Sequence, residues 1–442
     1  MHRRRDPLIA GFALFAMFLG AGNIIFPPYT GVHAGSSWLA AALGFVLTGA
    51  GLPILGAVAV AKVGGDSNEL SRRFSITFGK VLNLLILIMI GPLFAIPRTA
   101  ATTTEMSVLP FLPEGTSLPI AFAITSAVFF LLSFLLSISE GKVLDTMGGF
   151  LTPVMIVALT LLAILSFINP IGTPVQSTLT EAPFYYGFTS GYQTMDGIGS
   201  LVISASIAML LAKKGYEGKE KHRILLIAAL IAGTLLGLVY FAYTWIGASG
   251  SSFLQGITDR TVMLTTAVNR LAGVFGQAIL GVIIFFACLT TASGLTVTFA
   301  QYVNKLSKGK LPYRMLVLGV TLFSFAVSLI GVEGIISLAA PVLEVIYPIC
   351  IVLILLNLFD RFVKSDAFYR GAMLGTIAFS LILLLKYIPG LKDYANHIIK
   401  VIPLGGNGFG YITTALLGAA IGYVVSLLMP QHKQKKGLDS AQ

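Results

Sequence analysis

Three hydroxyl side chains stand in the middle of an apolar segment, where a cation buried in a membrane could use them. Thr290, Thr291 and Ser293 belong to the run Ala287-Cys-Leu-Thr-Thr-Ala-Ser-Gly-Leu-Thr296. Hard cations prefer oxygen ligands, so adjacent threonines that face free backbone carbonyls would make a sodium site. Alternatively, these hydroxyls bond back to carbonyls of their own helix, which is common in membranes.

Free carbonyls are expected in the string Gly20-Ala-Gly-Asn-Ile-Ile-Phe-Pro-Pro28. Glycine costs about 1 kcal/mol per helix position, and proline removes a donor and clashes with the preceding turn. We therefore predict a helix that is interrupted within the membrane. Amide groups near Gly22 and Asn23 would suit a carboxylate, and nearby carbonyls would suit a small cation. The alternative is that the glycines only allow close helix packing.

A second glycine-rich string, Gly187-Phe-Thr-Ser-Gly-Tyr-Gln-Thr-Met-Asp-Gly-Ile-Gly199, lies five apolar segments later. Interrupted spans at matching positions of two halves are typical of transporter binding sites. This spacing predicts a five-plus-five inverted repeat with helices 1 and 6 interrupted. Here too, close packing of helices around the glycines is an alternative.

Few ionisable residues are expected at membrane depth. Arg98, Thr102 and Glu105 have i, i+4, i+7 spacing and would share a helix face. Arg98 is either functional or placed at the outer end with its head group in water. Asp196 could couple transport to an ion or cap a half-helix, and Glu344 could pair with a neighbouring helix. Coupling to protons would need one of these carboxylates.

These residues must be positioned by membrane-spanning helices. Hydrophobic residues make up 56% of the 442 positions and charged residues 11%, too few for the surface of a soluble protein. A span takes about 20 apolar residues. About twelve are predicted, at 8–29, 38–61, 76–98, 119–138, 147–168, 189–212, 223–246, 271–304, 315–331, 334–359, 368–387 and 410–430. The fold class is therefore an all-α polytopic membrane protein.

The distribution of basic residues predicts the orientation. With the N-terminus inside, 23 of the 29 lysines and arginines fall on the cytoplasmic side. The outside holds only Arg98, Arg260, Arg270, Lys386, Lys392 and Lys400. Both termini are therefore expected in the cytoplasm. The net charge of +11 is explained by topology and does not indicate a nucleic-acid partner.

Enzyme and cofactor motifs are absent from the sequence. It contains no HExxH, P-loop or nucleophile elbow, and Cys288 and Cys350 lie in different apolar runs. A chain of many spans without an ATPase domain favours secondary transport. A channel and a membrane enzyme are the rival classes.

Several strings resemble the bacterial branched-chain amino acid:cation symporter family of the BrnQ type. They are Gly20-Ala-Gly-Asn-Ile-Ile-Phe-Pro-Pro28, Gly49-Ala-Gly-Leu-Pro53, Ala59-Val-Ala-Lys62, Gly91-Pro-Leu-Phe-Ala-Ile-Pro-Arg-Thr-Ala100, Gly191-Tyr-Gln-Thr-Met-Asp196 and Pro341-Val-Leu-Glu-Val-Ile-Tyr-Pro348. The resemblance implies sodium-coupled uptake of leucine, isoleucine and valine across the bacterial inner membrane. It implies no cofactor other than the coupling ion.

A more distant likeness is to the LeuT fold of the APC superfamily, because Gly20-Ala-Gly-Asn23 and Leu289-Thr-Thr291 resemble its substrate and sodium motifs. It implies that Gly22 meets the substrate carboxylate and that Asn23 lies beside the substrate. The implied sodium ligands are Ala16, Leu19, Thr290 and Thr291. One transporter domain over 1–442 is expected, with repeats at about 8–168 and 189–359 and two extra helices at about 368–430.

The candidate site residues are of two kinds, substrate contacts and coupling residues. The candidate substrate contacts are Gly20, Gly22, Asn23, Phe94, Arg98, Tyr192 and Met195, with Phe15, Phe18 and Phe286 as further apolar candidates. Glu105 and Asp196 are the candidates for coupling. The expected partners are the amino acid, sodium and the lipid bilayer.

Overall fold

The apolar segments of the sequence form helices in the structure, a computed structural model that describes residues 6–113, 115–138, 152–363 and 365–428. Every regular element in these ranges is helical, so the all-α class is confirmed. The helices are α1 Asp6–Phe18, α2 Ala21–Ala34, α3 Trp38–Val46, α4 Leu52–Lys62, α5 Ile76–Ile88, α6 Ala95–Thr103, α7 Leu118–Ser137, α8 Thr152–Ile168, α9 Pro183–Ser190, α10 Asp196–Lys213, α11 Gly218–Ser249, α12 Ser251–Leu254, α13 Arg260–Leu306, α14 Tyr313–Ser328, α15 Val332–Leu358, α16 Asp366–Leu385, α17 Lys392–Val401 and α18 Gly410–Leu428.

The lengths of these helices fit a membrane protein. Among the described residues, nine helices are long and apolar enough to cross a bilayer, and α1, α8 and α14 are shorter apolar helices. Many large apolar side chains are exposed along them, for example Ile124, Leu131 and Leu135 on α7. An exposed apolar surface of this kind suits lipid rather than water.

Several boundaries differ from the sequence prediction, and the start of α13 is one of them. The predicted span 271–304 belongs to α13, which begins earlier, at Arg260. Ala272 and Gly273 break this helix, since Gly273 has a φ of 62°, which glycine adopts without steric cost. The chain therefore adds a short helical segment before the span. The apolar pattern alone did not reveal it, because residues 260–271 are mixed in polarity.

Two compact units are distinguished along the chain. The first contains Met1–Ser67 and Val81–Leu343. Within it, α1 and α2 both pack along α11. The contact with α2 is very close: a Cβ on Gly31 would stand 1.9 Å from the Thr244 carbonyl oxygen, and one on Gly247 would stand 1.9 Å from that of Pro28. Small residues thus allow the two backbones to touch, as in many membrane helix pairs.

The close contact predicts a stability effect for Gly247→Ala. The added methyl group meets backbone, which cannot move aside, so we expect a loss of about 1–3 kcal/mol and a lower melting temperature in detergent. Gly237→Ala on the same helix is the control, because its Cβ would lie at an ordinary 3.5 Å from Val46. Equal melting temperatures for the two variants would contradict the close packing.

The second unit contains Asn68–Lys80 and Glu344–Gln442. In it α16 packs against α18 through glycines, and a Cβ on Gly371 would stand 2.0 Å from the Gly418 carbonyl oxygen. Arg73 forms ion pairs of 2.7 Å with Asp360 and Asp366. Glu344 pairs over 2.7 Å with Lys386, the C-cap residue of α16, so the expectation that it pairs with a neighbouring helix is confirmed.

Candidate functional site

The first span is broken between α1 and α2, and the break releases a carbonyl. α1 ends at Phe18, and Gly20 is extended, with φ −113° and ψ −164°. In a continuous helix the Gly20 amide would donate to the Ala16 carbonyl. It donates instead to Asn23 Oδ1 over 3.1 Å. The Ala16 carbonyl oxygen is thus available to other partners.

Those partners are the hydroxyls of α13. Thr291 Oγ1 donates to the carbonyl oxygens of Ala16 and Leu19, each over 3.0 Å. Thr290 Oγ1 donates to the carbonyl of Ala287 on its own helix over 2.9 Å and lies 3.3 Å from the Ala16 carbonyl. The four predicted ion ligands therefore lie together, and their oxygens are buried. The Thr291 hydroxyl bonds only carbonyls at the break, whereas the Thr290 hydroxyl bonds one carbonyl at the break and one on its own helix.

Ser293, the third hydroxyl of the motif, behaves differently. Its Oγ donates to the Leu289 carbonyl over 2.8 Å, four residues back along α13. It also lies 3.5 Å from the hydroxyl of Ser133 on α7. For this residue the back-bonding alternative describes the structure.

A second break separates α9 from α10. The chain passes through a short 3-10 turn, Gly191–Thr194, and Met195 then takes a left-handed conformation with φ 64°. This conformation is uncommon for a residue with a side chain. It lets α10 begin directly at Asp196, whose carboxylate is buried. Asn23 Nδ2 donates to this carboxylate and to the Tyr240 hydroxyl, which itself donates to Asp196 over 2.8 Å.

A third break, in the span of α5 and α6, was not predicted. Gly91 and Phe94 leave helical geometry, and Pro92 lies between them. Arg98 follows on α6 and is only 2% exposed, so it does not extend to the surface. Its Nη1 donates to the Gln193 carbonyl over 2.9 Å, at the break before α10.

The Arg98 guanidinium also approaches the break after α1. A Cβ on Gly22 would stand 2.6 Å from Arg98 Nη2. A side chain at this position would require the guanidinium to move aside, so glycine lets Arg98 lie against the first turn of α2. Arg98 therefore lies between the two breaks and contacts both.

A small cavity lies where the breaks meet. Its lining residues are Met17, Phe18, Gly20, Ala21, Asn23, Ile90, Ala95, Arg98, Thr99, Thr194, Met195, Asp196, Gly199, Ile203, Thr291 and Leu295. Polar groups cluster at the breaks, and the rest of the wall is apolar. This arrangement suits a small ligand with a polar head and an apolar body.

Most of the candidate residues meet at this cavity. Gly20, Asn23, Arg98, Met195, Asp196 and Thr291 line it, as does Phe18. Three of the seven predicted substrate contacts do not, and the further candidates Phe15 and Phe286 do not line it either. Gly22 lies behind the lining against Arg98, Phe94 is buried at the third break, and the Tyr192 ring packs against Phe188 at 5.6 Å between centroids.

Glu105 is directed away from Arg98, with which the spacing had grouped it. It lies in a wider turn, Thr104–Val108, that follows α6. Its carboxylate accepts hydrogen bonds from Thr261 Oγ1 over 2.9 Å and from the Val332 amide over 3.0 Å. The wider turn changes the rotation of the chain, so the expected shared face is not kept. Glu105 joins α6 to α13 and α15 instead of entering the cavity.

Tyr240 is the main residue that the sequence analysis missed. It is fully buried on α11, and its hydroxyl joins Asn23 to Asp196. A tyrosine within an apolar span is a usable signal, because a buried hydroxyl needs a partner. Ile90, Ile203 and Leu295 were also missed, since one aliphatic residue among many carries no signal.

The chain matches a known protein family over nearly its whole length. A family described as "Branched-chain amino acid transport protein" matches residues 3–429. The branched-chain amino acid permease BraB of Bacillus subtilis is 34% identical over 437 residues, with 97% of each chain covered. The branched-chain amino acid permease BrnQ of Escherichia coli is 40% identical over 364 residues, with 80% of each chain covered.

Solved structures support the fold at lower identity. Mhp1, a nucleobase-cation-symport-1 family transporter in a closed conformation with bromovinylhydantoin bound, gives a TM-score of 0.61 at 14% identity. The match covers 97% of this chain and 94% of that one. MhsT in complex with L-phenylalanine gives 0.57 at 16% identity and covers 95% and 98%. The expected LeuT-like fold is thereby confirmed, and the chain belongs to the branched-chain amino acid transport protein family.

Proposed function

We propose that this protein is a sodium-coupled symporter that imports leucine, isoleucine and valine across the bacterial inner membrane by alternating access. Both termini lie in the cytoplasm, and no cofactor is needed besides the coupling ion. The observation that carries the proposal is the position of Thr291. It lines the cavity, and its hydroxyl bonds two carbonyl oxygens at the break of the first span.

The substrate assignment rests on the cavity wall and on the family. Met17, Ile90, Ile203 and Leu295 supply apolar surface from four different helical segments. An aliphatic side chain would bury its surface there, at about 25 cal/mol per Å² removed from water. A longer charged side chain would bring an uncompensated charge into this wall. We therefore expect branched aliphatic amino acids to be accepted and lysine or glutamate to be rejected.

The ion assignment rests on the chemistry of the ligands. Hydroxyl and carbonyl oxygens suit a hard monovalent cation, and these four come from α13 and from the end of α1. Sodium would take the place of the hydrogen bonds between these oxygens: each hydroxyl would keep its proton and turn a lone pair towards the ion, which would join the two segments. Because Thr291 is both a proposed sodium ligand and part of the cavity lining, bound sodium would order the wall that the substrate contacts. Such shared order gives a coupling free energy between the two ligands.

The sodium gradient and the membrane potential would drive uptake. Electrical work is about 2.3 kcal/mol per charge for each 100 mV. Sodium entry down its gradient therefore provides free energy for accumulation of the amino acid.

Proton coupling is the second candidate, and one observation favours it. Asp196 is a carboxylate that lines the cavity and is 4% exposed. The other two acids considered for this role are engaged elsewhere, Glu105 with Thr261 and Val332, and Glu344 with Lys386. A proton-coupled mechanism would thus depend on Asp196.

Uptake by purified protein in proteoliposomes tests the proposal. We expect saturable uptake of radiolabelled leucine under an inward sodium gradient at equal pH on both sides. Valine and isoleucine should compete, and lysine and glutamate should not. Uptake that ignores sodium and follows a pH gradient would transfer the coupling role to Asp196. Non-saturating flux would indicate a channel.

A further inference from the structure

Two side chains of opposite charge line the same cavity and come from different breaks. Arg98 follows the break in the span of α5 and α6, and Asp196 follows the break before α10. They are 2% and 4% exposed. Burial of a charge is costly unless an opposite charge or several hydrogen bonds compensate it. A ligand that enters this cavity must therefore be compatible with a buried positive charge and a buried negative charge.

The partners of Asp196 within the described residues are uncharged. Asn23, Tyr240 and Thr194 supply the side-chain hydrogen bonds to its carboxylate. These donors orient the group but do not neutralise it. Arg98 acts on it through space. A ligand cation placed beside Asp196 would supply the missing positive charge.

The backbone directs Asp196 into the cavity at a conformational cost. Met195 holds φ 64°, an uncommon conformation that persists where the surrounding structure requires it. It places both Met195 and Asp196 on the cavity lining. Asp196 is also the first residue of α10, and the amide groups of a helix N-terminus favour a negative charge. The turn at Met195 thus brings the carboxylate to the cavity, and the helix N-terminus favours its charged form.

Arg98 supplies positive charge to the cavity. Its Nη1 donates to the Gln193 carbonyl, and its Nη2 lies against Gly22 in the first turn of α2. The guanidinium and the amide groups at the start of α2 together make this side of the cavity positive. A carboxylate would be stabilised here and an ammonium group would be repelled.

Building on the proposed function, we propose that Asp196 binds the substrate ammonium group and Arg98 faces the substrate carboxylate. The cavity then selects zwitterions against the matching acid and the matching amine. An acid of the same shape would leave Asp196 without its cation and would bring a second anion towards it. An amine would bring a second cation towards Arg98 and would lack the carboxylate that the guanidinium faces. A site built to pair with a polar group rejects analogues that lack it far more strongly than it rejects a changed methylene.

Three ligands of the same branched shape test this selection on the full chain in lipid nanodiscs. They are leucine, 4-methylpentanoate, which lacks the ammonium group, and 3-methylbutylamine, which lacks the carboxylate. The readout is the ligand concentration that gives half-maximal thermal stabilisation, at saturating sodium. For the unsubstituted protein we expect leucine to act at a concentration at least about 30-fold lower than either analogue.

Asp196→Asn should change the ratio between the ligands. Leucine should weaken by about 30-fold or more, because a buried charge pair loses one partner. 4-Methylpentanoate should bind as well as before or better, so the preference for leucine over the acid should collapse. Asp196→Glu keeps the charge and should keep the preference. Asp393→Asn, on exposed α17, is the control for loss of an aspartate charge.

The outcomes separate the two proposals. An unchanged leucine-to-acid ratio in Asp196→Asn would overturn the zwitterion inference alone, and it is the result expected if Asp196 only carried a coupling proton. If Asp196→Asn does not fold, equal potency of leucine and 4-methylpentanoate on the unsubstituted protein would overturn it. No stabilisation by leucine, isoleucine or valine would overturn the proposed function and the inference together.

Discussion

Arg98→Ala is expected to abolish leucine uptake while the protein remains folded in the membrane. The substitution removes the cation that lies between the two breaks and leaves the Gln193 carbonyl without its 2.9 Å hydrogen bond. An unmet buried acceptor costs about 1–3 kcal/mol, and loss of one member of a buried charge pair costs about 2–5 kcal/mol. Initial uptake rates in proteoliposomes should therefore fall at least about 100-fold.

Arg98→Lys should restore little of this uptake. Lysine keeps the charge but has a single ammonium group in place of the planar fork that reaches the Gln193 carbonyl and Gly22 together. Arg270→Ala is the control, because Arg270 is exposed and its guanidinium lies 5.9 Å from the Phe253 ring. Near-normal uptake by Arg98→Ala would mean that the arginine is only a structural residue and has no part in substrate binding.

Thr291→Val is expected to raise the sodium concentration for half-maximal uptake by about 10- to 100-fold. Valine keeps the branched shape and removes the hydroxyl that bonds the carbonyls of Ala16 and Leu19. Loss of one buried oxygen ligand costs about 1–3 kcal/mol. Thr290→Val should shift the same curve in the same direction but by less, because Thr290 bonds Ala287 on its own helix more closely than Ala16. Sodium titrations of initial uptake rates measure both shifts.

The matched control for the threonines is Thr298→Val on the same helix. Thr298 is buried and its hydroxyl donates back to the Gly294 carbonyl over 2.9 Å. Its sodium curve should stay unchanged. Apparent leucine affinity at saturating sodium should also move much less than the sodium curve in all three variants. If Thr291→Val keeps the original sodium curve, the ion site is elsewhere, and Asp196 becomes the better candidate for coupling.

The break in the first span could be predicted because its cause is local. Gly20, Gly22, Pro27 and Pro28 lower helix stability whatever their surroundings, and the freed Ala16 carbonyl follows from the break. For the Thr291 hydroxyl the sequence left two alternatives, the free carbonyls of the first span or a carbonyl of its own helix. Whether a hydroxyl faces its own helix or another depends on the rotation of α13, which long-range packing determines. Thr291 and Ser293 lie two residues apart and have opposite outcomes for this reason.

Other features of the site depend on packing that the sequence does not display. Glu105 was grouped with Arg98 by regular helix spacing, but the wider turn Thr104–Val108 shifts its direction towards Val332. The dipeptide Gly91-Pro92 is a local signal for the break at Gly91, but the predicted span 76–98 continues through it. Tyr240 is 44 residues from Asp196 along the chain, and only the packing of α11 against the breaks brings them together.

Equilibrium binding of radiolabelled leucine to the purified protein tests sodium coupling most directly. The leucine affinity is measured across a range of sodium concentrations at constant pH and ionic strength, with choline as the replacement cation. Binding of the two ligands is reciprocally linked if they share the break at Gly20. We predict that leucine affinity rises with sodium until it saturates, and that Thr291→Val moves this rise to higher sodium. A leucine affinity that is the same in sodium and in choline would contradict sodium coupling at this site.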